Sequence, residues 1–228
     1  RIYFREGSKW KYYGNANNQH NKALGYNNSK TLETGDSGQM ATSADGKVYI
    51  LYTNRTNRVS SSSVLYCYDT NKYVKDDTTP FEPDWVTPIN GKLVRYNAQG
   101  VVCGADGTIY VTTGVNGNDK ARVTAVSPDG QLKWESFADG DIAGSAAVDN
   151  ENYVYYNDYV LGKLVKLSPV DGNKVAEIQL ATDMRSSPTI SIDGTIYCTG
   201  MKDGKPTLFA VKGSATSHAA GWSQLGGN

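Results

Sequence analysis

The residues best placed to do chemistry are a few charged side chains in the second half of the chain. Asp139-Gly140-Asp141 puts two carboxylates in one loop, and Asp183-Met184-Arg185 puts a carboxylate and a guanidinium in another. Two acids facing one cleft could cleave a glycosidic bond, one as acid and one as base or nucleophile. Two carboxylates in one loop could also supply part of the oxygen shell a calcium ion needs, or simply be solvated turn residues. Arg185 could grip a polar ligand or pair with a carboxylate of a neighbouring repeat; counted from the turn aspartates Asp149 and Asp193, its partner by position is Asp141. Arg95-Tyr96-Asn97 is a third loop of this kind, with a cation, an aromatic ring and an amide side by side. His20 and His218 are the only histidines, and neither has a recognisable catalytic partner. No nucleophile elbow, phosphate loop, His-Glu-x-x-His or Cys-x-x-Cys is present.

The elements that must carry these loops repeat. Ile2-Tyr3-Phe4, Val48-Tyr49-Ile50, Ile109-Tyr110-Val111, Val154-Tyr155-Tyr156 and Ile196-Tyr197-Cys198 are copies of one phrase, with tyrosines 46, 61, 45 and 42 residues apart. Four copies follow turns: Ala44-Asp45-Gly46, Ala105-Asp106-Gly107, Asp149 to Asn152 and Ile192-Asp193-Gly194. A repeat in the forties with strand, turn and strand in each copy predicts an all-β fold, a β-propeller of four-stranded antiparallel blades. In the third repeat the strands read 100–105, 108–112, 122–126 and 131–137, with Asp106-Gly107 as a two-residue hairpin turn. The repeated tyrosines and turn aspartates are expected to build the ring rather than bind.

The whole of 1–228 is expected to be one propeller domain of about five blades. It comprises a partial blade at 1–36 that lacks its inner strand, then complete blades at 37–97, 98–141, 142–185 and 186–228. The last is closed by 222–225. The second carries extra length, with 72–88 expected to wander over the outer edge. The chain opens inside a repeat, so the expectation is either a first blade completed from elsewhere or the C-terminal part of a larger propeller.

Composition narrows the classes of function. Lys+Arg and Asp+Glu both number 23, so no electrostatic footprint for nucleic acid exists. No apolar run approaches the ~20 residues of a membrane span. Cys67, Cys103 and Cys198 each sit in an apolar strand pattern and read as buried thiols.

Ala125-Val126-Ser127-Pro128-Asp129-Gly130 followed by Trp134, and Leu208-Phe209-Ala210-Val211 followed by Trp222, resemble the pyrroloquinoline-quinone-type propeller repeat. The phrases Ser187-Pro188 and 221–228 resemble it too. In that family a tryptophan packs between neighbouring blades; the second and fourth blades here are expected to lack one, with Ala176 at the place in the fourth. The quinone-dependent enzymes of the family use a vicinal cysteine pair and a calcium site, and neither is found in this sequence. The resemblance therefore implies the non-enzymatic branch: a bacterial extracytoplasmic protein, periplasmic or at the cell surface. Such a protein would bind a protein or glycan without cofactor at the channel-mouth loops Arg95, Tyr96, Asn97, Asp139, Asp141, Asp183 and Arg185. The alternative is a carbohydrate-active propeller enzyme using the acids at 139–183.

Overall fold

The computed structural model describes residues 2–6, 9–14, 37–53, 63–72, 82–89, 100–115, 119–217 and 223–224. Their strands form five antiparallel sheets. The first is a pair, β1 (Ile2–Glu6) and β2 (Lys9–Gly14). The second is β3 (Ser37–Thr42), β4 (Lys47–Thr53), β5 (Ser63–Asp69) and β6 (Trp85–Ile89), adjacent in that order. The third is β7 (Val101–Cys103), β8 (Ile109–Thr113), β9 (Arg122–Val126) and β10 (Leu132–Phe137). The fourth is β11 (Ala147–Val148), β12 (Val154–Asp158), β13 (Lys163–Leu167) and β14 (Lys174–Gln179). The fifth is β15 (Thr189–Ile190), β16 (Thr195–Lys202) and β17 (Lys205–Lys212). The inner strands β3, β7, β11 and β15 lie against one another in succession. That arrangement is the propeller's: each of the last four sheets is a blade, and its first strand faces the axis.

Each inner hairpin is longer than a two-residue turn. The Gly107 amide donates to the Gly104 carbonyl (3.1 Å) and the Gly104 amide to the Thr108 carbonyl (2.8 Å). Gly107 has φ +78, the left-handed place that closes a four-residue β-turn between strands. The acid at the third turn position caps it from within: Asp106 accepts from the Thr108 amide (3.0 Å) and hydroxyl (2.8 Å), and Asp193 accepts from the Thr195 amide (3.0 Å). These aspartates are structural. Asp149 is not their equivalent, because its amide bonds the Tyr153 carbonyl just as those of Ser43, Gly104 and Ser191 bond theirs. It stands at the first turn position, with its carboxylate on the Glu151 and Tyr153 amides and the Tyr155 hydroxyl.

The core lies between blades, where sheet faces meet. Tyr49 and Tyr110 are fully buried and each carries a tryptophan, with ring centroids 5.9 Å apart for Tyr49–Trp85 and 5.7 Å for Tyr110–Trp134. Trp134 reaches into the next blade and donates Nε1–H to the Pro169 carbonyl (3.1 Å). Its ring lies flat on Gly172, where an added Cβ would meet it at 2.5 Å. Trp85 does the same one blade earlier, donating to the Pro128 carbonyl (3.0 Å) and covering Gly130.

Trp85 corrects the sequence reading twice. The second blade does have its docking tryptophan, and the second half of 72–88 is not an excursion but the outer strand β6, in which Pro88 stands opposite Val64. Pro88 is tolerated there because the strand is at the sheet edge, where no ladder donor is required on the outer side. A further difference concerns the last blade, which has three strands among the described residues. Ser223 and Gln224, expected in a fourth, turn inward instead: the Val148 amide donates to the Ser223 carbonyl (2.8 Å) and the Ile190 amide to Gln224 Oε1 (2.7 Å). The chain end thus stitches two inner strands together.

Candidate functional site

The loop joining one blade to the next and the loop between second and third strands share one face. The Tyr159 amide donates to the Asp141 carbonyl (2.9 Å), and the Met184 amide donates to the Tyr159 carbonyl (3.3 Å). Loops 138–142, 158–162 and 182–186 therefore form one continuous surface. Met184 is fully buried beneath it against Ala181 and Cys198, so the charged side chains stand on a packed floor.

Asp141 is buried, and its Oδ1 accepts from the Val115 amide (2.7 Å) and from the Ile142 amide (2.8 Å). Asp158, which the sequence reading did not single out, organises the same loop. Its carboxylate accepts from the amides of Gly140 (2.7 Å), Asp141 (3.2 Å) and Leu161 (3.1 Å). Gly140 is required there, since a Cβ would meet Asp158 Oδ1 at 2.3 Å. Buried carboxylates persist when backbone donors surround them. Asp158 could have been flagged only by its place at the end of β12, before a tight turn.

The remaining charges lie outside. Asp139 pairs with Lys174 Nζ at 2.9 Å, an exposed contact. Arg185 pairs through Nε with both carboxylate oxygens of Asp183 (3.1 and 3.2 Å), and its guanidinium lies 5.1 Å from the Tyr159 ring centroid. The Asp141–Arg185 pairing is therefore not formed. The two are out of step by two residues because Asp149 occupies the first turn position. In register, with Ala147 opposite Tyr155 and Thr189 opposite Tyr197, Asp141 corresponds to Asp183. Arg95, Tyr96, Asn97, His20 and His218 lie outside the described residues.

The three acids do not converge as a catalytic pair: one is buried on amides, and the other two are in separate exposed ion pairs. Asp139 and Asp141 likewise do not share an oxygen shell: Asp139 is paired with Lys174, and Asp141 Oδ1 is taken by the Val115 and Ile142 amides. Among the described residues no group of three or more His, Cys, Asp or Glu gathers. The thiols do not fit a quinone site that needs adjacent cysteines, because Cys67, Cys103 and Cys198 are buried singly in β5, β7 and β16.

No protein-family model matches this chain, and no curated protein does. Solved structures do. BamB from Moraxella catarrhalis aligns over 84% of this chain and 51% of its own length, at 15% identity and a TM-score of 0.50. A luciferin-regenerating enzyme aligns over 83% of this chain and 65% of its own, at 11% identity and a TM-score of 0.54. The chain thus spans about half of the first and under two thirds of the second. At such identities the likeness is one of fold, and it agrees with the blades seen here: the chain is folded as a β-propeller.

Proposed function

We propose that this chain is a non-catalytic binding or scaffold propeller of the bacterial envelope, engaging a protein or glycan partner through its channel-mouth loops. The observation that carries the reading is Arg185. Its side chain is 65% exposed and is held over Tyr159 by the Asp183 carboxylate. That pairing uses Nε, and among the described residues its terminal nitrogens make no hydrogen bond. An oriented guanidinium on an aromatic ring is a common anchor at interfaces and for polar ligands. The charge balance speaks against a nucleic-acid partner, and among the described residues no helix is long and apolar enough to cross a membrane. The envelope location rests on the resemblance of the repeats.

A panel of purified envelope proteins and immobilised glycans tests this. A binder should emerge whose affinity falls about tenfold in Arg185→Ala, the loss of one charge-assisted contact. If every binder found is equally tight for Arg185→Ala and Arg95→Ala, the partner does not use this face.

A further inference from the structure

The described junctions between blades are not alike. Cross-strand register sets a row in each blade: Trp85 stands opposite Cys67, which faces Tyr49, and Trp134 stands opposite Ala125, which faces Tyr110. In the fourth blade the same row is Ala176, Lys166 and Tyr155. The indole is missing, and the small neutral residue behind it has become a lysine. Trp134 is 8% exposed, while every residue of β14 is exposed.

Where the indole would lie there is a cavity of about 330 Å³ between the fourth and fifth blades. Leu164, Ala176 and Ile178 line it from one blade, Ile196 and Val211 from the other. Gly213 also lines it. Val126, Leu167 and Val211 are in register, opposite Ile109, Val154 and Ile196. Gly213 therefore stands where Pro128 and Pro169 stand in their blades, the residues whose carbonyls receive the two indole N–H groups. The cavity's size is that of a small-molecule site, and its lining is mostly apolar with a few polar groups.

Its charge is specific to this junction. Lys166 Nζ lies 3.6 Å from the Tyr153 ring centroid and donates to Ser214 Oγ (2.5 Å). Lys212 lines the same cavity. Neither lysine has a carboxylate within ion-pair distance among the described residues. The one acid in the lining, Glu177, is already taken by Lys163 and Lys174, both at 2.6 Å. The groove is therefore apolar, with an ammonium at its polar side that no carboxylate contacts directly; the buried Asp149 carboxylate, on the Tyr155 hydroxyl, acts on Lys166 only from beyond ion-pair distance.

We propose that this groove binds a planar aromatic carboxylate of indole size, its ring where the other junctions hold Trp85 and Trp134 and its carboxylate on Lys166. The site is separate from the Arg185 face and does not depend on it. Two junctions of the same chain show the ring that such a space accepts, and Lys166 supplies the anion preference that they lack.

Calorimetric titration of the chain with indole-3-acetate, and with indole as the uncharged control, tests the proposal. Saturable one-to-one binding of indole-3-acetate is expected. Lys166→Gln should weaken it about tenfold while leaving indole unchanged. Ala176→Trp, which fills the groove with the chain's own indole, should abolish binding of both and raise the melting temperature. No saturable binding to the unaltered chain overturns the proposal, as does undiminished binding to a folded Ala176→Trp variant. Should that variant not fold, the methyl resonances of Ala176 and Ile196 decide. Ligand-induced shifts there support the site, and shifts confined to other residues refute it.

Discussion

At the residue scale the molecule depends on pairs formed by one large ring and one missing side chain. Trp134 covers Gly172, whose φ is +72. Replacing Trp134 by alanine removes a buried indole and a hydrogen bond, and should cost about 3–5 kcal/mol in urea unfolding. Gly172→Ala should destabilise by more than the ~1–2 kcal/mol of a left-handed alanine, because the new methyl strikes the ring. In a Trp134→Ala background only the backbone cost should remain, so a double-mutant cycle should show the two changes strongly coupled. Additive effects would mean that the indole does not rest on Gly172. The tyrosine phrases were legible in the sequence because strand and turn are local. Trp85 was not, because the long 70–84 connection hid its register; nor was Asp158, two of whose three amide donors lie in the preceding loop 17 and 18 residues away.

At the scale of the element, the strands were read well where they alternate or run apolar, and less well at their ends. The hairpin turns proved longer than Asp106-Gly107 alone, since one turn bond runs from Gly107 back to Gly104. The apolar strands β5, β7 and β16 also bury thiols. Burial raises Cys67 and Cys103 to about 12 and Cys198 to about 11. In the unfolded chain a thiol ionises near ~8.5. Above that pH the unfolded state loses protons that the folded state retains, so stability is full below ~8.5 and declines as pH rises toward the folded values. Buried Tyr68, raised to about 12, acts in the same direction above pH ~10. Urea midpoints should hold from pH 7 to about 8 and then fall progressively toward pH 10, and Cys103→Ala should flatten the fall. A midpoint independent of pH would show that the thiols are not held neutral by the fold.

At the scale of the molecule, the chain is a run of blades whose junctions differ in closure. The second and third blades each clamp the next with a tryptophan on a tyrosine. The fourth meets the fifth through a smaller cluster around Tyr155, Leu164 and Ile196, with β14 exposed throughout. The sequence showed Ala176 at this junction, but not the lysine behind it or the inward return of Ser223 and Gln224, which follow from register and from contacts with the inner strands β11 and β15. The repeats share tyrosine and turn, which build the blades, and they vary at the loop face around Arg185 and the open groove at Ala176, where the two proposed sites lie. Repeat proteins open where their neighbour interfaces are weakest. Native-state hydrogen exchange measures that ordering directly. The amides of β8, β9 and β12 should be the slowest and should exchange together, while those of β16 and β17 open at lower free energy and gain protection in Ala176→Trp. Equal protection of β8 and β17 in the unaltered chain, unchanged by that substitution, would contradict the account.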